Sequence, residues 1–203
     1  MSTITSSTAE REPLVIHFSP LLKKMSEQEF YAFCRLNPEL SLELTSEGDL
    51  IIMPPTDGKS GSRNAVLGAR LTTWTIENTG GTAFDSSTLF TLPNGAKRSP
   101  DFAWVSNERW HALTEEEQEQ FPLLCPDFVV ELRSRTDTLK NLRQKMAEYM
   151  ANGAQLGWLI DPQERRVYVY RPGAAVEELD DPRVVSGEPL LRGLELELQE
   201  IWD

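Results

Sequence analysis

Two acidic residues in this sequence lie where a buried carboxylate would need a partner. Asp101 follows a proline, and Glu131 interrupts the apolar segment Phe-Val-Val-Glu-Leu at residues 128–132. Burying an unpaired charge is costly, so such a carboxylate is normally paired with a cation or bound to a metal. A Mg²⁺ ion between Asp101 and Glu131 would provide that partner, and a divalent cation can activate water and stabilise charge on a phosphate. The pair therefore predicts metal-assisted phosphodiester hydrolysis.

A purely structural role for the same two acids is the alternative. Asp101 would then only begin a strand, and Glu131 would be neutralised in a buried ion pair by one of three basic residues, Arg98, Arg133 or Lys145. A second Pro-Asp pair, at residues 126–127, lies four positions before Glu131 on the same predicted strand. Because that spacing is too short for a partner from a neighbouring strand, we interpret Asp127 as a strand-start residue.

Other catalytic chemistries have little support in the sequence. The two cysteines, Cys34 and Cys125, are far apart and lack CxxC spacing, which argues against a zinc site or a disulfide framework. His17 and His111 lie in no motif that would pair them with a serine or cysteine nucleophile. Triad hydrolysis is therefore not expected.

Hydrophobic periodicity and turn residues predict the elements that must position the two acids. Ser26 and Glu29 form a capping-box pattern ahead of a helix, and Asp137 is the predicted cap of a later one. Helices are predicted at about 27–36, 59–78 and 138–151, with an acidic helical insertion at about 107–120. Strands are predicted at 42–44 and 50–53, which form a hairpin, and around 84. Two more are predicted at 89–92 and 102–105, with residues 93–95 as the turn between them, and the others at 127–133, 156–160, 166–170 and 194–198.

The predicted strand at 127–133 is the one expected in the centre of the molecule. Its nearly continuous apolar run indicates burial on both faces, as in a sheet covered by helices. Alternation along a strand places Glu131 and Arg133 on one face. If the strand that ends near Val105 is its neighbour, Asp101 approaches Glu131 from the side. The predicted fold class is α/β, with a mixed β-sheet flanked by helices.

Length and composition favour one domain. The 203 residues, 39% of them hydrophobic, can bury a single core, and no linker-like stretch divides them. We expect one domain over residues 13–203, preceded by a disordered polar tail at residues 1–12 that lacks the features of a signal peptide. No apolar run approaches the roughly 18 residues of a membrane helix, so a soluble, cytoplasmic protein is expected.

The net charge of −12 opposes simple nucleic-acid binding, which usually depends on an excess of Lys and Arg. Part of the acid is local, in runs at residues 114–119 and 177–181 that we interpret as solvated. Directly after Glu131 the chain is instead basic, with Arg133, Arg135, Lys140, Arg143 and Lys145.

Pro100-Asp101 and Glu131-x-Arg133 form a core motif on predicted strands. The segments that accompany it are residues 52–56 (IMPPT), 98–101 (RSPD), 126–134 (PDFVVELRS), 145–149 (KMAEY), 157–162 (GWLIDP) and 169–173 (VYRPG). This ordered set resembles the PD-(D/E)xK nuclease superfamily and its large bacterial Uma-two family of restriction endonucleases, over roughly residues 25–202.

The resemblance implies a restriction-endonuclease-like core that hydrolyses DNA phosphodiester bonds with Mg²⁺ or Mn²⁺, and it implies a homodimer. Asp101 and Glu131 would bind the metal, and Glu43 matches an acidic position that often completes such a site. The superfamily has lysine two residues after the second acid, where this chain has Arg133; Lys145, on the following helix, would take the catalytic place. Because arginine keeps its proton, Arg133 is assigned a phosphate contact.

Two other functions remain open at this stage. The acidic surface and the missing strand lysine favour a catalytically inactive nuclease-fold domain that binds nucleic acid or a protein partner. Hydrolysis of a small phosphoester would suit an acidic protein as well, because it needs no long basic groove.

Overall fold

The computed structural model describes residues 13–17 and 25–203, so the predicted tail at 1–12 lies outside the described residues. The helices are α1 (Glu27–Leu36), α2 (Gly58–Asn78), α3 (Asn107–His111), α4 (Glu115–Gln118), α5 (Leu139–Ala151) and α6 (Gln199–Trp202). The strands are β1 (Leu14–Ile16), β2 (Ser41–Leu44), β3 (Leu50–Met53), β4 (Gly81–Asp85), β5 (Phe90–Thr91), β6 (Lys97–Arg98), β7 (Phe102–Ser106), β8 (Phe128–Leu132), β9 (Leu156–Asp161), β10 (Arg166–Tyr170), β11 (Glu177–Asp180), β12 (Val184–Ser186) and β13 (Glu195–Glu197). Across the described ranges, every helix is too short or too polar to span a bilayer.

The larger sheet has the order β11-β10-β9-β8-β7-β4. Strands β8 and β9 are parallel and are connected by α5, whereas the other neighbours in the sheet are antiparallel. All five residues of β8 are buried. The prediction of a mixed sheet with β8 near its centre is therefore confirmed.

Helices cover both faces of this sheet. Leu67 and Leu71 of α2 belong to the apolar cluster on one face, and Met146 and Tyr149 of α5 belong to the cluster on the other. Gly157 of β9 lies directly under α5, because a Cβ atom there would come within 2.5 Å of Met146 Cε. Glycine thus allows α5 to approach the sheet closely.

A smaller sheet has the order β1-β3-β2-β6-β5. Its β2–β3 hairpin was predicted, but β6 was not, because a two-residue strand has no measurable periodicity. The turn at residues 93–95, with Gly95 at φ 86°, joins β5 to β6, whereas the sequence suggested that it leads to β7. Strand β6 is important because it carries Arg98 next to the predicted site.

The helix ends agree with the predictions except at α5. Ser26 and Glu29 form the predicted capping box of α1. Helix α5 is capped by Thr138, whose side chain accepts a hydrogen bond from Asn141 N, and not by Asp137. Asp137 instead accepts hydrogen bonds from the backbone N–H and the hydroxyl of Ser134. The predicted insertion at 107–120 forms two short helices, and part of the acidic run at 177–181 forms strand β11.

Candidate active site

The pairing of β7 with β8 brings the two predicted acids together. Phe102 lies opposite Val130 in this antiparallel pair, so Asp101 and Glu131, the next residues outward on each strand, are cross-strand neighbours. Asp101 Oδ2 accepts a hydrogen bond of 2.7 Å from the backbone N–H of Leu132. Its Oδ1 accepts one of 3.0 Å from the Asn64 amide on α2. The expected neighbour relation between the two strands is confirmed.

Glu131 is almost fully buried, with 4% of its surface exposed. Its Oε1 atom accepts a hydrogen bond of 3.0 Å from the Tyr149 hydroxyl and lies 2.8 Å from Lys145 Nζ. Within residues 13–17 and 25–203, no group donates a hydrogen bond to Oε2. One carboxylate oxygen is therefore held by two protein donors, and the second is left without one.

Lys145 of α5 bridges two carboxylates. Its Nζ atom lies 2.8 Å from Oε1 of Glu131 and 2.8 Å from Oε1 of Glu43, and it donates to the Ser99 carbonyl at 3.4 Å. Only 13% of the lysine side chain is exposed. Of the three basic residues considered as ion-pair partners of Glu131, the structure places Lys145 beside it. Glu43 shares this ion pair.

Glu43 lies in β2 of the smaller sheet and is held by donors on several sides. Besides Lys145, its carboxylate accepts hydrogen bonds from Ser99 N at 3.0 Å and from Arg98 Nη1 at 3.1 Å. Arg98 also donates from Nε to Glu148 of α5 at 2.6 Å. Among the described residues, no three acidic, histidine or cysteine side chains are grouped as metal ligands. The assignment of Glu43 as a metal ligand stays a prediction, and its contacts are those of a residue that orients Lys145.

The charges of this cluster do not balance. The cluster has two cations, Lys145 and Arg98. It has four carboxylates, those of Glu43, Asp101, Glu131 and Glu148. Burial raises the pKa of Glu131 to about 8, an effect that Lys145 only partly offsets and that Asp101 and Glu43 strengthen. Burial also raises the pKa of Asp101. Asp101 and Glu131, the two predicted metal ligands, are therefore the carboxyl groups whose ionisation the two cations do not balance.

The other two ionisable groups are stabilised in their charged forms. Burial opposes ionisation of Glu43, but Lys145 and Arg98 together lower its pKa. Burial likewise opposes the charge on Lys145, but Glu131 and Glu43 raise its pKa. The two carboxylates consequently stabilise Lys145 as an ammonium group that donates hydrogen bonds.

A divalent cation fits the residues that are present. Mg²⁺ binds hard oxygen ligands, keeps several waters and often uses only one or two carboxylates, as Asp101 and Glu131 would provide. The Oδ1 atom of Asn64, whose amide nitrogen binds Asp101, is buried without a hydrogen-bond partner in the described structure. The orphaned oxygen and the surplus of two negative charges are both features that a hydrated cation would satisfy.

Arg133 lies beyond the end of β8 and is held away from the two acids. Its Nη1 atom donates to the fully buried Asp161 at 2.7 Å, and its Nε atom donates to the Asp137 carbonyl at 3.3 Å. About a fifth of the side chain, 19%, is exposed. The predicted phosphate contact therefore rests on Nη2, to which the described residues offer no acceptor.

The sequence did not reveal the roles of three residues. Asn64 carries one signal in the sequence, because an asparagine inside a helix is intrinsically unfavourable. Arg98 was considered only as a partner of Glu131, whereas the structure pairs it with Glu43 and Glu148. The Tyr149 hydroxyl donates a hydrogen bond to Glu131, a contact that the helical pattern of residues 138–151 does not predict.

Comparisons with known proteins show the fold and the family of this chain. The fold is similar to that in the crystal structure of a putative nuclease, belonging to DUF820, from Anabaena variabilis ATCC 29413, with a TM-score of 0.72 and 24% sequence identity. The similarity covers 88% of this chain and 97% of that one. No curated protein matches the chain. The sequence model of the Uma2 family, described as putative restriction endonuclease, matches residues 27–199, and the chain therefore belongs to this family.

Proposed function

We propose that the protein is a metal-dependent endonuclease that hydrolyses DNA phosphodiester bonds, with Asp101 and Glu131 holding Mg²⁺ or Mn²⁺ and Lys145 as a catalytic cation. The observation that carries the proposal is the convergence of these three side chains on neighbouring strands and the helix that follows. Family membership and the likeness to a nuclease fold support it.

The two carboxylates have the main role in this proposal. When bound, the cation would polarise the scissile phosphate and lower the pKa of a water molecule. Asp101 lies immediately before β7 and Glu131 lies in β8, and the pairing of these two strands makes the carboxylates neighbours. Ligands on rigid elements are positioned more reproducibly than ligands on loops.

Lys145 contributes a fixed positive charge. Because Glu131 and Glu43 keep it protonated, it can donate hydrogen bonds to the attacking water or to a phosphate oxygen and stabilise negative charge as the reaction proceeds. The Glu43 and Ser99 contacts orient it before substrate arrives. Arg133 adds a phosphate contact through Nη2, and a homodimer would supply a second site for the second DNA strand.

Cleavage assays with isosteric variants test the proposal. Wild type should cut plasmid DNA with Mg²⁺ or Mn²⁺ and stop when EDTA removes the metal. D101N and E131Q should each lose more than about 100-fold in rate, because removing a ligand costs more than removing the groups that support it. D127N is the matched control, since Asp127 is a buried acid at the start of the same strand. Cleavage that persists in E131Q would contradict the site assignment.

A second function is favoured by one observation: the Glu43–Lys145–Glu131 ion pairs partly neutralise the cluster without any metal. A catalytically inactive domain that binds nucleic acid or a protein would keep such a network for stability alone. In that case the protein would bind no divalent cation and cut no substrate. Cleavage of small phosphodiesters in place of DNA would instead favour the small-substrate alternative.

A further inference from the structure

Tyr149 is a buried polar residue whose hydroxyl the proposed reaction does not use directly. It lies on α5, one helical turn after Lys145, and none of its surface is exposed. Its hydroxyl donates a hydrogen bond of 3.0 Å to Glu131 Oε1. The centroid of its ring lies 6.0 Å from Lys145 Nζ, within range of a cation–π contact. A single turn of helix thus presents two groups to one carboxylate.

We propose that Tyr149 is a positioning residue that fixes the orientation of Glu131 for metal binding, an inference that rests on the proposed function. Tyr149 and Lys145 both hold Oε1 of Glu131, which leaves Oε2 as the oxygen without a donor from the described residues. Two donors on one oxygen restrict rotation of the carboxylate. Glu131 therefore presents Oε2 in a fixed orientation.

The packing around Tyr149 explains the tyrosine ring but not its hydroxyl. The ring lies in the apolar cluster with Met146 and Val129, where phenylalanine would fill the same space. A buried hydroxyl needs a partner, because desolvating it without a hydrogen bond is costly. Glu131 is that partner, and groups that hold a metal ligand in place typically contribute 10- to 100-fold, as an order of magnitude, to metal affinity or activity.

The support for Tyr149 is itself rigid. Glu148, the preceding residue, accepts a hydrogen bond of 2.6 Å from Arg98. Gly157 allows the same helix to pack directly on β9. The hydroxyl position is therefore set by the helix and does not depend on a mobile loop. This rigidity is what a positioning residue requires.

The test compares Y149F with Y170F. Both tyrosines are buried in the same cluster, but the Tyr170 hydroxyl makes no hydrogen bond to the described residues. Mn²⁺ affinity is measured by calorimetry, and kcat and KM for DNA are measured at saturating metal. Y149F should bind Mn²⁺ about tenfold more weakly and lower kcat, with KM unchanged because the buried hydroxyl does not touch substrate. Y170F should match wild type in all three quantities.

The outcomes separate this inference from the proposed function. If wild type binds Mn²⁺, E131Q does not, and Y149F binds as wild type does, the proposed function stands and the role of Tyr149 is refuted. Equal losses in Y149F and Y170F would also refute it, since they would indicate a general packing effect. Absence of Mn²⁺ binding in wild type would overturn both claims together.

A double-mutant cycle provides an independent check that does not require activity. If Tyr149 acts through Glu131, the effect of Y149F on the free energy of unfolding should differ between the wild-type and E131A backgrounds, because alanine removes the acceptor of the hydroxyl. Strictly additive effects would contradict the coupling.

Discussion

Two buried acids adjoin the same strand and differ in how their charge is balanced. Asp127, just before β8, accepts hydrogen bonds from Arg109 at 2.7 Å and from the backbone N–H of Ser106 at 2.8 Å. Glu131, near the end of β8, shares its one cation with Glu43 and lies beside Asp101. Both acids are nearly inaccessible, with 6% and 4% of their surface exposed.

The difference shows why burial alone does not identify a functional carboxylate. Asp127 has one cation to itself, so its ion pair is complete and explains the residue structurally. At Glu131 the carboxylates outnumber the cations, and burial raises the pKa of Glu131 to about 8. A folded protein keeps such an imbalance at a cost, and perturbed carboxylates of this kind are concentrated at functional sites.

Removing the cation at each acid is expected to give the largest contrast. K145M leaves Glu131 and Glu43 without their shared ammonium, and the free energy of unfolding should fall by about 3–5 kcal/mol, as for other broken buried pairs. R109M should cost less, because 38% of the Arg109 side chain is exposed and its pair is more screened. Denaturant unfolding of both variants measures the difference.

The stability of the same two variants can also be compared with and without Mg²⁺. The added cation should restore part of the lost stability in K145M, because it neutralises the acids that the lysine left behind, and it should not stabilise R109M beyond wild type. Because Asp101 and Glu131 are intact in all three proteins, the absence of any stabilisation by Mg²⁺ in all of them would contradict a cation site at Glu131.

The pH dependence of Mn²⁺ affinity gives a further test of the charge imbalance at Glu131. The pKa of Glu131 is raised from 4.5 to about 8, so below that pH a metal must displace its proton. Mn²⁺ affinity should therefore rise by about tenfold per pH unit up to about pH 8 and then level off. Without metal, the free energy of unfolding changes with pH in the opposite direction. The stabilising contribution of protonated Glu131 is complete below pH 4.5 and is lost as the pH rises through about 8. Calorimetry between pH 6 and pH 9 measures the first effect, and a flat affinity profile would contradict it.

Glu43→Gln tests whether the third acid of the cluster binds the metal. If Glu43 only orients Lys145, E43Q should weaken Mn²⁺ binding by no more than about 10- to 100-fold, the range expected for a supporting group. Complete loss of binding, matching E131Q, would instead make Glu43 a ligand. Titration of both variants under one set of conditions decides between the two roles.

The smallest effect is expected at Arg133. R133K keeps the positive charge near Asp161 but loses the planar guanidinium that can hold Asp161 and a phosphate together. KM for DNA should rise by about two- to tenfold, the equivalent of one net hydrogen bond, with kcat unchanged. Unaltered KM in steady-state assays would remove Arg133 from the substrate site.

Local patterns predicted most of the fold. The capping box at Ser26, the β2–β3 hairpin and the buried strand β8 each depend on residues close together in sequence, and each is present. Strand β6 was missed because it is two residues long and exists only through its pairing with β2 and β5. The cap of α5 was misplaced by one residue because Asp137 has a competing partner in Ser134.

The site was only partly accessible from the sequence. Asp101 and Glu131 could be paired because the strand pattern and the cost of burial both pointed to them. The Arg98 bridge between Glu43 and Glu148, and the Tyr149 hydroxyl on Glu131, join side chains from different elements. Such contacts depend on how α5 lies across the two sheets, and periodicity along the chain carries no information about that placement.

Metal titration by calorimetry is the most direct test of the central claim, that the unbalanced acids Asp101 and Glu131 form a cation site. Wild type and D127N should bind Mg²⁺ or Mn²⁺ with the same affinity, whereas E131Q should not bind at all. Binding by E131Q equal to that of wild type, or no binding by wild type in the presence or absence of DNA, would contradict the account and leave the cluster as an ion-pair network.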